Sequence, residues 1–276
     1  MGAPARVVAV DWSGAVAGAA RKIWLCEVGA AGVARLEDGR TRGELAAEVL
    51  RVGADDPSVV AGFDFAFSLP AWFLAARGLR TGAELWAAAG RAGEAWLSAA
   101  EPPFWGVGGT RRPELPAHTR RTEDEAAASS GRRPSSVFKL VGADQVGRGS
   151  VRGMRELLAP LAEAGWAVWP FDDPAPGRPT AVEIWPRLLY AEPVVKSQAD
   201  RRAAYLDRHA PELAADVRAS AVRSDDAFDA LTSAVAMWQA RAALGALPPA
   251  RDAVERLEGR IWRPDGSHAR RVASAP

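Results

Sequence analysis

The hydrophobic positions fall into short β-branched runs near the N-terminus and into helical repeats further on. Arg6–Asp11 (RVVAVD) is an apolar run stopped by Ser-Gly, the pattern of a buried strand. Lys22–Val28 (KIWLCEV) predicts a second strand, Gly29–Gly32 a turn and Val33–Glu37 a third strand, together an antiparallel meander. Thr41 with Glu44 three residues on is a capping-box pattern, opening a helix to about Val52. Ser58–Phe65 (SVVAGFDF) predicts a fourth strand, buried on both faces. A helix between two strands of one sheet implies a parallel crossover.

Pro70–Arg77 and Thr81–Ser98 carry helical periods. Glu101–Ser136 carries neither period and is rich in Pro-Pro, Gly-Gly and Arg-Arg pairs, which predicts a long functional loop or a partly disordered insertion. After a short apolar run at Val137–Val141, Ser150 is expected to cap a helix to about Ala164. Trp166–Phe171 and Thr180–Trp185 predict short strands, and Ser197–His209 and Glu212–Ser220 predict helices. Ser224 caps a helix running to about Leu244, stopped by Gly245 and Pro248. The expected organisation is one α/β domain over 1–262 with an insertion at about 70–149, then a disordered tail over 263–276.

Composition adds little about partners until it is read by segment. Hydrophobic residues make up 48% of 276, enough for one sizeable core, and the 11 Trp are expected mainly inside it. The net charge is only +1, but Arg111–Arg155 holds ten Lys and Arg against five Asp and Glu, a candidate anion-binding face. Basic residues are nearly all Arg; the lysines are Lys22, Lys139 and Lys196. The lone Cys26 excludes an internal disulfide framework and a cysteine zinc site, and suits a reducing compartment. The first apolar run is too short for a signal peptide and ends in Asp11, and no stretch approaches the ~20 apolar residues of a membrane helix. A cytoplasmic location is therefore expected.

The chemistry points to carboxylates. Asp11 ends the first strand and Asp64 lies near the end of the fourth, and ligands of α/β sheets bind beyond such carboxyl ends. Like charges at close range repel, so a cation between them is the natural remedy. On the last helix, Asp226 and Asp229 share a face by their i, i+3 spacing. First-turn aspartates ordinarily complement the helix dipole; Asp229 lies beyond that turn, beside the apolar stripe. Glu183, inside TAVEIW, is a costly buried charge unless it binds metal, pairs with an arginine or acts as a base. Oxygen ligands of this kind suit Mg²⁺ or Mn²⁺. The three histidines are scattered, and neither a Walker A sequence nor a GxSxG elbow occurs.

The segments VAVDWSG, GFDFAFSLP, FKLVGADQVGRGSVRG, VWPFD, VEIWPRLL and SDDAFDALTSAVAMW together resemble an RNase H-like family of predicted nucleases, over most of residues 6–245. The wider superfamily, RuvC-type resolvases included, places acids on the first strand, the fourth strand and the last helix. The resemblance thus implies a mixed five-stranded sheet, three antiparallel strands then parallel ones, flanked by helices. It implies catalytic Asp11, Asp64, Asp226 and Asp229 holding two Mg²⁺ or Mn²⁺ ions for phosphodiester hydrolysis, and Glu183 is a further catalytic candidate. Asp64 stands where the resolvases use glutamate, and the Glu183 motif belongs to this family alone. Ser13, Arg132, Arg133, Lys139 and Arg187 are the candidate substrate contacts, and nucleic acid the expected partner. Phe104 and Trp105 are candidates for base stacking, and the pairs Arg111-Arg112, Arg120-Arg121 and Arg132-Arg133 for phosphate contacts. Two other readings compete. One is a phosphotransferase or ATPase of the sugar-kinase-like fold, since Asp11-Trp12-Ser13-Gly14 resembles its first phosphate loop. The other is a non-catalytic nucleic-acid-binding protein with a relic metal site.

Overall fold

The apolar runs become the centre of a mixed sheet in the computed structural model, which describes residues 2–142 and 145–264. Strand β1 (Arg6–Asp11) pairs antiparallel with β2 (Trp24–Gly29), and β2 with β3 (Gly32–Glu37). Helix α1 (Arg42–Asp55) carries the complete capping box at Thr41 and Glu44. It returns the chain to β4 (Val60–Phe63), which lies parallel beside β1.

Helices α2 (Ala71–Ala75), α3 (Gly82–Ala99) and α4 (Arg121–Ser130) follow, then α5 (Val146–Gly153), a π-helical turn over Met154–Leu158 and α6 (Ala159–Glu163). The strands β5 (Ala167–Val168) and β6 (Thr180–Glu183) complete a sheet of order β3-β2-β1-β4-β6-β5. Helices α7 (Ala199–His209), α8 (Ala215–Arg223), α9 (Asp225–Gln239), α10 (Arg241–Leu244) and α11 (Ala253–Glu258) close the chain.

Six strands replace the expected five, because β6 inserts between β4 and β5 and both late apolar runs join the sheet. β5 is only two residues long and is followed by Pro170, which has no N–H to extend a ladder. The stretch 101–136 is not one long loop. It contains α4, whose polar sequence has no apolar stripe, so periodicity could not reveal it. Ser150 does not cap a helix start; α5 begins four residues earlier, and the Ser150 hydroxyl donates to the Val146 carbonyl (3.0 Å) while accepting from the Ala66 N–H (3.1 Å). Of the disordered tail expected over 263–276, all but Arg263 and Pro264 lies outside the described residues.

Alternation along β1 decides the layers. Val8 and Val10 face a cluster with Leu45 and Val49 of α1, Leu85 and Trp86 of α3, and Val151 of α5. Val7 and Ala9 face the opposite cluster, with Tyr205 and Leu206 of α7 and Phe228 and Leu231 of α9. The expected insertion packs into the first cluster through Phe73, Phe104 and Phe138. Among the described residues no tryptophan is exposed. Among the described residues, no helix is long and apolar enough to cross a membrane.

Candidate functional site

The parity of the strands gathers the acids. Asp11 continues the Val7–Ala9 face, and Asp64, one residue past β4, continues the face of Val60. The Asp64 N–H donates to the Val10 carbonyl at 3.1 Å, which extends the parallel register just past Val10 and Phe63. Neighbouring strands lie ~4.8 Å apart, so both carboxylates leave the sheet side by side toward α9. Gly62 makes that approach possible: a Cβ there would lie 2.7 Å from Met237 Sδ of α9 and 2.9 Å from Ile184 Cγ2. Ser224 caps α9, accepting from the Ala227 N–H at 3.2 Å, and the helix carries Asp226 half-buried and Asp229 only 2% exposed.

The electrostatics record the crowding. Desolvation, then the charges of Asp229, Asp64 and Asp226, push the Asp11 carboxyl well above the usual range. Desolvation and Asp229 push Asp64 up to about 7. Among the described residues no hydrogen bond or ion pair reaches either carboxylate. Asp229 differs: its two oxygens accept from the Tyr190 hydroxyl and from the Lys196 ammonium.

Glu183 sits on the other face. Val182 and Ile184 point toward α9, so Glu183 between them points away, into a buried ion cluster. Arg120, 1% exposed, donates to both Glu183 oxygens and to Glu123, and the Phe67 N–H donates to Glu183 Oε2 at 2.9 Å. Of the three readings open to Glu183, its geometry is that of an arginine's partner. Arg120-Arg121 is correspondingly no phosphate contact: Arg120 is buried, and Arg121 pairs with Asp252 at 2.7 Å.

A cavity of about 750 Å³ opens over Asp64, Asp229 and Glu183. Asp64, Asp229 and Lys196 lie on its wall, with Ser13, Arg132, Arg133 and Arg187 among its lining and Lys22 beside them. Among the described residues, Lys22, Arg132, Arg133 and Arg187 form no ion pair. Four candidate contacts thus stand where an anion would enter. Lys139 does not line the cavity; its ammonium lies 6.0 Å from the Trp105 ring centroid. Phe104 is buried against Phe73 and Phe138 and is closed to base stacking. Arg111 and Arg112 are exposed and do not line the cavity.

The loop Trp12–Gly14 is seated on α5. The Trp12 indole donates to the Gly149 carbonyl (3.0 Å) and Arg152 donates to the Gly14 carbonyl (2.6 Å). A Cβ on Gly14 would lie 2.3 Å from the Gly149 nitrogen, a backbone atom that cannot swing aside. Gly14→Ala should therefore destabilise the fold by about 1–3 kcal/mol, as overpacking does. An unchanged denaturant midpoint in that variant would show that this contact is not tight.

Oxygen donors at Asp11 and Asp64 fit a hard divalent cation such as Mg²⁺ or Mn²⁺, which would relieve their repulsion. Among the described residues no group of three or more His, Cys, Asp or Glu is already drawn together to hold a metal ion. Asp229, engaged by Lys196 and Tyr190, is the acid held back. Sequence reasoning missed Lys196 and Tyr190, although in an arginine-dominated chain with three Lys and two Tyr their rarity was a signal. Comparison with family models, with curated proteins and with solved structures finds no match.

Proposed function

We propose that this protein is a metal-dependent nuclease of RNase H-like fold that hydrolyses phosphodiester bonds. The observation that carries the reading is the Asp11–Asp64 pair: two mutually repelling carboxylates at adjacent parallel strand ends, unbonded among the described residues, with Asp64 on the wall of a cavity whose rim carries cations unpaired among those residues. Asp11 and Asp64 would hold Mg²⁺ or Mn²⁺, with Asp226 and Asp229 completing the acidic wall. When bound, the ion supplies a Lewis acid and lowers the pKa of an attacking water. Arg187, whose charge is felt at Asp64, orients a phosphate oxygen there. Arg132, Arg133 and Lys22 bind neighbouring phosphates, and contacts of that kind position without specifying sequence.

One observation keeps the phosphotransferase reading alive. Ser13 and Gly14 line the cavity together with Gln145, Val146 and Gly149 of the α5 start, so backbone amides there would serve a nucleotide phosphate as well. ATP binding would favour it, and nucleic-acid binding without turnover would favour the relic-site protein.

The test is a nucleic-acid panel incubated with Mn²⁺, beside Asp11→Asn, together with affinity against salt. Wild type should cleave and Asp11→Asn should bind without turnover. Binding should fall steeply with salt through counterion release, and Arg132→Ala/Arg133→Ala should flatten that slope by roughly two phosphate contacts. Absence of binding at low salt would overturn the nucleic-acid reading in favour of a small phosphorylated substrate.

A further inference from the structure

Resting on the metal-dependent reading above, we propose that Lys196 takes the place of the second divalent cation, so that the site binds one ion, between Asp11 and Asp64. A carboxylate as enclosed as Asp229 needs a compensating charge. Here the compensation is built into the chain: the Lys196 ammonium is paired to one oxygen and the Tyr190 hydroxyl bonded to the other. Asp11 and Asp64 also favour the charge on Lys196, so the ammonium offsets part of the repulsion among the crowded acids.

Lys196 is not a chance surface lysine. Its own carbonyl accepts from Arg202, a buried side chain that also donates to the Ala221 and Val222 carbonyls at the end of α8. The Ala191 N–H donates to the buried Tyr205 hydroxyl at 2.8 Å. Both ends of the segment from Tyr190 to Lys196 are thus fastened by α7. An incoming ion that claimed Asp229 would strip Lys196 of the one ion pair it forms among the described residues. An ammonium is a compact point charge with three donors, which suits the place of a small cation. Lys196 acts through Asp229, as a positioning residue that keeps this carboxylate away from the metal.

The experiment counts ions. The full chain is titrated with Mn²⁺, and bound metal is followed by calorimetry and by the electron paramagnetic resonance of free Mn²⁺. Wild type and Lys196→Arg should bind one ion per chain. Lys196→Met should bind a second, because Asp229 is released, and Asp64→Asn should bind none. Two ions on wild type would overturn the substitution while leaving the metal reading intact. One ion on a folded Lys196→Met would also overturn it. No ion on wild type or Lys196→Met would defeat both readings together. The wild-type count alone decides the matter if Lys196→Met fails to fold.

Discussion

Asp64→Asn should raise the melting temperature of the metal-free protein at pH 8, by about 5–10 °C. The Asp64 carboxyl titrates at about 7 in the fold, against an ordinary value of about 3.9. Each unit is about 1.4 kcal/mol, so forcing ionisation inside the fold costs at most about 4 kcal/mol. Solvent reaching the cavity reduces that to about 2–3 kcal/mol. For a chain of this size 1 kcal/mol corresponds to about 2–4 °C. Because the folded value is raised, the stability carried by the protonated group is complete below about pH 4 and lost as pH rises through about 7. Wild type should therefore weaken relative to Asp64→Asn across that window. Millimolar Mn²⁺ should restore wild type by mass action and leave the variant nearly unmoved. Thermal melts of both proteins at pH 5 and 8, with and without Mn²⁺, check all three expectations. A destabilised Asp64→Asn indifferent to metal would mean that the acids do not crowd one another.

Arg120→Met should cost about 3–5 kcal/mol, the usual result of removing one partner from a buried ion cluster. Arg120, Glu123 and Glu183 are all at most 3% exposed. Without the guanidinium, two carboxylates remain enclosed; desolvation already pushes Glu123 upward despite the arginine beside it. Arg120 also donates to the Glu258 carbonyl at 2.9 Å, so its loss removes one of the bonds that tie α4 to the C-terminal segment as well as its link to β6. Adding Glu183→Gln in the Arg120→Met background should recover part of the loss, since it removes one orphaned charge. Denaturant midpoints of the two single variants and the double variant measure the coupling. Additive losses would show that the three residues do not act as a unit.

The same cluster explains why Glu183 was open to three readings in the sequence. Its costly position was visible in TAVEIW, but its partner lies 63 residues away in a stretch without periodicity. Ion pairs over such separations leave no local pattern.

What the sequence determined by itself was local. Apolar runs ended in Asp11 and near Asp64, Thr41 and Ser224 announced their helices, and i, i+3 spacing put Asp226 and Asp229 on one face. These follow from backbone periods and caps, which act over a few residues. Tertiary structure decided everything that depends on which face of the sheet meets which partner. It turned Asp11 and Asp64 toward α9 and Glu183 toward Arg120, buried Phe104, and brought the Arg132-Arg133 pair but not Lys139 to the cavity. It also carried Lys196 onto Asp229, a contact across a separation of 33 positions that local sequence cannot announce, because only the packing of α7 and α8 fixes the loop that bears it.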